Sequence, residues 1–253
     1  MRYFIKMAYN GAAYHGWQKQ DNAETIQQIL EDGLKRIFNH KGGVVGAGRT
    51  DTGVHAREFY AHFDYDFILK GKELEKKTYK LNGFLPRDIM VNDIFEVRGD
   101  LHSRFDAVSR TYEYIINQVK DPFLNDFSWY VSGQLDVDLM NEGAQILLEY
   151  TDFTSFSKLH SQVKTNNCQL MEARWENRGH LLVFTIKADR FLRNMVRAIV
   201  GTLVDLGRGK ITLEELRGII DAKDRSEAGL SVPALGLYLV NIEYAEELKG
   251  QEE

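Results

Sequence analysis

Cysteine is almost missing from this chain. Cys168 stands alone among 253 residues, which excludes an internal disulfide and a multi-cysteine zinc site and leaves Cys168 as apolar filler. Proline is nearly as scarce, with Pro86, Pro122 and Pro233 its only occurrences, and no proline-rich linker, low-complexity tract or strong internal repeat is present. No run approaches the roughly 18 apolar residues that a membrane span requires. His15, His55, His62 and His102 are too scattered for metal-ligand spacing, so no metal site is expected. Met1 to Tyr9 works Arg2 and Lys6 into an apolar alternation, which fits a strand and not a signal peptide. These absences give the expectation of a cytoplasmic protein with no membrane partner.

Net positive charge is also lacking: 32 Lys and Arg against 37 Asp and Glu leave −5. The distribution matters more than the total. Lys187, Arg190, Arg193, Arg197, Arg208 and Lys210 face only Asp189 and Asp205, a local balance of +4. The end of the chain holds Glu243, Glu246, Glu247, Glu252 and Glu253 against Lys249, a balance of −4. An acidic tail lowers the total without touching a basic groove elsewhere, so composition permits nucleic-acid binding without indicating it.

What is present is ordinary periodicity. Thr25 to Phe38 carries Ile26, Ile29, Leu30, Leu34, Ile37 and Phe38 at helical spacing, opened by a Thr25…Gln28 capping box. His55 to Tyr65 alternates Phe59, Ala61, Phe63 and Tyr65 with Glu58, Tyr60, His62 and Asp64, which predicts a strand with one buried face. A short strand is expected near Met90 and another over Arg110 to Asn117. Asp136 to Tyr150 reads as a helix. Leu170 to Asn177 and Leu181 to Ala188 form a hairpin across Arg178-Gly179. Phe191 to Leu206 predicts a long helix, and Leu213 to Asp221 a short one opened by Thr212…Glu215. Gly236 to Tyr244 is a last strand. Interspersed helices and strands with antiparallel pairing give an α+β class. A division near residue 107 gives two α+β lobes, 1–107 and 108–245, and the tail 246–253 is expected to fray.

The densest chemical signal is Gly46-Ala47-Gly48-Arg49-Thr50-Asp51-Thr52-Gly53-Val54-His55-Ala56. Three glycines in eight residues permit positive φ and close backbone approach to a ligand. One acid lies between Arg49 and His55, and a neighbouring cation would keep a nucleophilic carboxylate ionised. Three readings compete. In the plainest, Asp51 caps its own tight turn. In the second, Asp51-Thr52-Gly53 is half of an aspartic-protease dyad, but no second Asp-Thr-Gly or Asp-Ser-Gly exists and the chain is not nearly all β.

The third reading is a resemblance. Gly48 to Ala56 resembles the signature of the tRNA pseudouridine synthase A family, and the likeness continues along the chain. Tyr9-Asn10-Gly11, Tyr14, Gly16-Trp17-Gln18-Lys19-Gln20 and Thr25-Ile26-Gln27 resemble the family's opening. Leu81-Asn82-Gly83-Phe84-Leu85-Pro86, Asp88-Ile89, His102, Arg104-Phe105-Asp106-Ala107 and Arg110-Thr111-Tyr112-Glu113-Tyr114 resemble its middle. Asp152-Phe153-Thr154-Ser155-Phe156, Phe191 to Arg197 and Pro233-Ala234-Leu235-Gly236-Leu237 resemble its end. Leu101, Ser103 and Ser231-Val232 depart from the usual residues, and the segment around Cys168 matches poorly.

The resemblance implies the pseudouridine synthase fold and conversion of uridine to pseudouridine at tRNA positions 38 to 40, without cofactor or metal, by a homodimer. It gives Asp51 the part of catalytic carboxylate, sets Tyr112 against the target uracil, pairs Arg197 with Asp51 and sends Arg49 to the RNA backbone. Residue types agree, since a stacked uridine must be flipped out to react and an aromatic face can hold a freed base. If the predicted helix runs from Arg190, then Arg193 and Arg197 share its stripe, with Arg197 buried and paired and the other two facing a groove. RNA-binding candidates are therefore Arg49, Tyr112, His55, Arg190 and Arg193, and the four histidines are read as structural or RNA-contacting. Lys158, Lys164, Arg208 and Lys210 are further candidates for phosphate contact, while Tyr14 and Trp17 fit either an RNA stack or the core. The rival reading is a tRNA-binding protein or RNA chaperone that keeps the scaffold without catalysis.

Overall fold

A computed structural model describes residues 1–69, 71–158, 164–245 and 248. Its strands are β1 (Arg2–Tyr9), β2 (Val45–Gly46), β3 (His55–Asp64), β4 (Ile89–Val97), β5 (Ala107–Asn117), β6 (Trp129–Tyr130), β7 (Leu170–Arg178), β8 (Leu181–Ala188) and β9 (Leu237–Tyr244). Its α-helices are α1 (Ile26–Phe38), α2 (Gly71–Phe84), α3 (Val137–Leu147), α4 (Met195–Gly207) and α5 (Leu213–Ala222). The class is α+β with mostly antiparallel pairing. The chain divides into two compact units, Met1–Val108 with Leu239–Glu253, and Ser109–Tyr238. The expected frayed tail falls at 246–253, of which only Leu248 is among the described residues.

In the first unit β1 lies between β4 and β3, and β9 follows beyond β3. Tyr3, Phe4, Ile5 and Met7 of β1 are all fully buried, so this central strand is covered on both faces. The same cover corrects the expected one-sided pattern of β3, where Tyr60 and His62 are buried along with Phe59, Ala61 and Phe63. Tyr60 meets the Tyr244 ring edge-on at 5.5 Å. The His62 ring stacks on Phe4 at 5.9 Å, and its Nδ1 lies 2.8 Å from the Ser103 hydroxyl.

Helix α1 begins where expected, with the Thr25 side chain accepting from the Gln28 amide. Its buried stripe of Ile26, Leu30, Leu34 and Phe38 contributes about 1.5–3 kcal/mol per large side chain. Helix α2 was not foreseen. Among its residues only Leu81 is buried, so it carries almost no apolar period. It is held instead by Asn82, whose amide side chain exchanges two 2.8 Å hydrogen bonds with the Val91 backbone of β4.

In the second unit β8 pairs with β5 on one side and β7 on the other. The β7–β8 hairpin turns at Gly179, whose φ of +68° suits glycine. Helix α5 carries the full Thr212…Glu215 capping box. Gly143 of α3 allows close approach to Leu203 and Leu206 of α4, for a Cβ there would sit 2.4 Å from the Leu206 side chain.

The long helix expected over Phe191 to Leu206 starts only at Met195. Asn194 is left-handed at φ +69°, and the residues before it spend their backbone groups elsewhere. Asp189 Oδ1 accepts from the Gln169 and Arg190 amides, and the Arg193 carbonyl accepts from the Lys158 amide. Arg190 and Arg193 are therefore not on the helix, and the expected three-arginine stripe does not form. Cys168 is buried, and burial raises its thiol pKa to about 12, which fits filler.

Candidate active site

The Asp51 loop is built against the segment after β1. Thr50 is buried, and its hydroxyl lies 2.9 Å from the buried Tyr9 phenol. The Trp17 amide donates to the Thr50 carbonyl at 3.2 Å, and the Gly53 amide donates to the Tyr14 carbonyl at 3.2 Å. Asp51 opens a turn in which the Val54 amide donates to its carbonyl at 3.1 Å, with Gly53 at φ +79° in the position that requires glycine. Asp51 is half-buried at the head of that turn and Arg49 is exposed.

Two glycines outside the loop set its position. A Cβ on Gly11 would stand 1.9 Å from the Val54 carbonyl oxygen, and one on Gly16, at φ +85°, would stand 2.3 Å from the Thr50 carbonyl oxygen. The backbone of residues 11 to 17 thus packs directly onto both ends of the Thr50–Val54 turn. The loop keeps its conformation through main-chain contacts that side-chain variation does not easily alter. Tyr9, Gly11, Gly16 and Thr50 were not foreseen as supports, and only the density of glycine near Tyr9 to Trp17 hinted at them.

His55 belongs to this frame. It is 2% exposed and its Nδ1 accepts from the Gly11 amide at 3.2 Å, so of the two expected parts, structural or RNA-contacting, the ring fills the first by anchoring the loop. Tyr14 and Trp17 are core residues. The Trp17 ring lies 4.2 Å from Phe59, and the Tyr14 phenol donates to Asp88 at 2.6 Å. Burial, with the carboxylate of Asp88, raises the Tyr14 pKa.

In the second unit Tyr112 lies on β5 opposite Ile186 of β8. It is half-buried, and its ring meets Phe191 edge-on at 5.1 Å. Arg197 is on α4 and is half-buried, not buried as expected. Its Nε donates to the Val232 carbonyl at 2.6 Å, and its own carbonyl accepts from the Val232 amide at 3.3 Å. Burial raises the pKa of neighbouring Tyr114, while the Arg197 charge opposes that rise. Arg190 is half-buried and Arg193 exposed, both in the irregular segment before α4. Among the described residues no group of three or more His, Cys, Asp or Glu could hold a metal ion, and no helix is long and apolar enough to cross a membrane.

In the first unit main-chain contacts from residues 11 to 17 hold the turn that carries Asp51, and the second unit carries a half-buried Tyr112 ring and the arginines of α4 and the segment before it. The profile of a family described as tRNA pseudouridine synthase matches residues 144–245, which sets that part of the chain among such proteins. The tRNA pseudouridine synthase A of Parabacteroides distasonis is 51% identical over 98% of this chain and 97% of its own length. The proteins of the same name from Bacteroides thetaiotaomicron and Porphyromonas gingivalis are 49% and 50% identical, covering 99% and 98% of this chain and 93% and 98% of their own lengths. The chain belongs to the tRNA pseudouridine synthase A family.

Proposed function

We propose that the chain isomerises uridine to pseudouridine in tRNA, acting on uridines at positions 38 to 40 of the anticodon stem-loop. The observation that carries this reading, beside the family, is the half-buried Asp51 held at a turn with little freedom to move. The target nucleotide leaves its stack and enters a pocket, as any base must before its glycosidic bond is remade. Asp51 assists cleavage of the bond from N1 to the ribose. The freed uracil turns, its C5 bonds to the ribose carbon, the proton on C5 leaves to solvent and N1 takes up a proton, so the product is an isomer of the substrate. Atoms and electrons balance without cofactor or metal.

In this reading Tyr112 lies against the uracil ring and retains it while it turns, and such stacking contributes about 1–3 kcal/mol. Arg197 pairs with Asp51, as the family likeness implies. Arg49, exposed beside the carboxylate, contacts the RNA backbone and helps extrude the base. Arg190 and Arg193 serve as phosphate contacts. Recognition of the anticodon arm rests largely on shape and backbone, as is usual for structured RNA. The protein works as a cytoplasmic homodimer with one tRNA touching both subunits, so a chain of net charge −5 still assembles a positive channel.

The test incubates the protein with an unmodified tRNA transcript and maps pseudouridine by carbodiimide labelling and primer extension. Marks confined to the anticodon arm support the reading. Binding without any mark on this or other tRNAs refutes the enzyme and leaves a tRNA-binding protein on the same scaffold.

A further inference from the structure

Phe105 is an apolar ring 74% exposed on the turn that precedes β5. The turn does not hold it by accident. The His102 amide donates to Asp106 Oδ2 at 2.6 Å, and the Asp106 amide returns to the His102 carbonyl at 3.1 Å. His102 Nδ1 accepts from the amides of Arg104 and Phe105, at 3.1 and 3.3 Å. Ser103 roots the turn in the core, for it is fully buried, its hydroxyl donates to the Val45 carbonyl at 2.9 Å, and its carbonyl accepts from Tyr244 at 2.6 Å.

The surroundings of the ring are those of a nucleotide. The His102 ring lies 4.4 Å from Phe105 and tilted by 33°, and the Arg104 guanidinium carbon stands 5.6 Å from the Phe105 centroid. His102 uses Nδ1 as an acceptor and burial lowers its pKa, so the ring is neutral and its Nε2 carries the proton. One turn therefore presents a flat apolar face, a neutral imidazole N–H and an exposed guanidinium. That set matches an unpaired base and the phosphate beside it. A protein partner would favour a contiguous apolar patch, and the neighbours Arg104 and Asp106 are both exposed and charged.

We infer that His102, Arg104 and Phe105 form a stacking platform that takes one unpaired base of the tRNA on Phe105, with the adjoining phosphate on Arg104. This rests on tRNA being the substrate, and it assigns a binding role to residues outside the reacting group. No catalytic step passes through them. Because Phe105 is exposed, its removal leaves the fold intact.

The test measures tRNA affinity, thermal midpoint and single-turnover pseudouridine formation at saturating enzyme for wild type, Phe105→Ala, Phe105→Tyr, Phe105→Leu and Arg104→Gln. The expected result is tRNA binding roughly 5- to 100-fold weaker in Phe105→Ala, with midpoint and saturated rate unchanged. Phe105→Tyr restores affinity and Phe105→Leu does not, because leucine is apolar without a π face. Arg104→Gln lowers the slope of log affinity against log salt by about 1. Undiminished binding by Phe105→Ala, or full rescue by leucine, overturns the platform. A change in oligomeric mass with unchanged tRNA affinity also overturns it, making the patch a contact between copies. Should wild type bind tRNA but form no pseudouridine, the enzymatic reading fails while the affinity comparison still decides the platform.

Discussion

Gly16→Ala strikes the candidate site without touching any residue expected to meet the substrate. Gly16 sits at φ +85°, and a Cβ there falls 2.3 Å from the Thr50 carbonyl oxygen, one residue before Asp51. The backbone conformation alone costs alanine about 1–2 kcal/mol. Relief of the collision requires about 1 Å of movement to reach ordinary contact, and the atom that must move is backbone in the Asp51 turn. A misplacement of that size lowers a catalytic rate by about 100-fold when the reacting group rides on it. Gly209→Ala is the control, since Gly209 also has positive φ, +67°, but a Cβ there meets nothing within 4 Å. The assay is single-turnover release of the C5 hydrogen from labelled tRNA, with affinity and thermal midpoint measured alongside. Gly16→Ala is expected to keep tRNA affinity within a few-fold and lose about 100-fold in rate, whereas Gly209→Ala loses only stability. A folded Gly16→Ala protein with wild-type turnover refutes the claim that residues 11 to 17 set the position of Asp51.

Other outcomes follow from the same geometry. Thr50→Val removes the hydrogen bond between the Thr50 hydroxyl and the buried Tyr9 phenol and should cost about 0.5–1.5 kcal/mol in denaturant unfolding. Burial first, then the Arg2 charge, lowers the His62 pKa from 6.5 to about 4, with Asp64 opposing. The unfolded chain therefore takes up that proton first. Stability is complete above about pH 6.5 and falls by up to about 3 kcal/mol as pH drops toward 4; unfolding at several pH values should show this part of the slope missing in His62→Gln. Arg197→Ala should lower the single-turnover rate at saturating enzyme, and wild-type turnover in that variant would remove Arg197 from the mechanism. Thr212→Ala breaks the capping box of α5 and should lower stability by about 0.5–2 kcal/mol while leaving tRNA affinity unchanged.

The elements legible in the sequence are those whose packing follows a simple period. Helix α1, the β7–β8 hairpin and the box opening α5 lie close to where their patterns predict. Helix α2 escaped because Leu81 alone is buried and its attachment runs through Asn82, a polar contact with no periodic trace. The start of α4 was misplaced because Phe191, Leu192, Met195 and Val196 keep helical spacing, while Asp189 and Lys158 take the backbone groups a helix would need. One-sided alternation in β3 failed because aromatic Tyr60 and hydrogen-bonded His62 can be buried on the second face. At the candidate site, Asp51 stood out through its glycine density and the family likeness. Its supports did not, because Gly11 and Gly16 act by what their missing Cβ atoms avoid. The burial of His55 was equally hidden, since its ring nitrogen serves a main-chain amide that is distant in sequence.

On the proposed reading one carboxylate, Asp51, makes this chain an enzyme and not only a tRNA binder. Its most direct test compares wild type with Asp51→Asn, a change of charge without a change of shape, on one unmodified tRNA transcript. Equal affinity is expected for the two proteins, with pseudouridine formed by wild type alone. Pseudouridine formed at a comparable rate by the asparagine variant would contradict it.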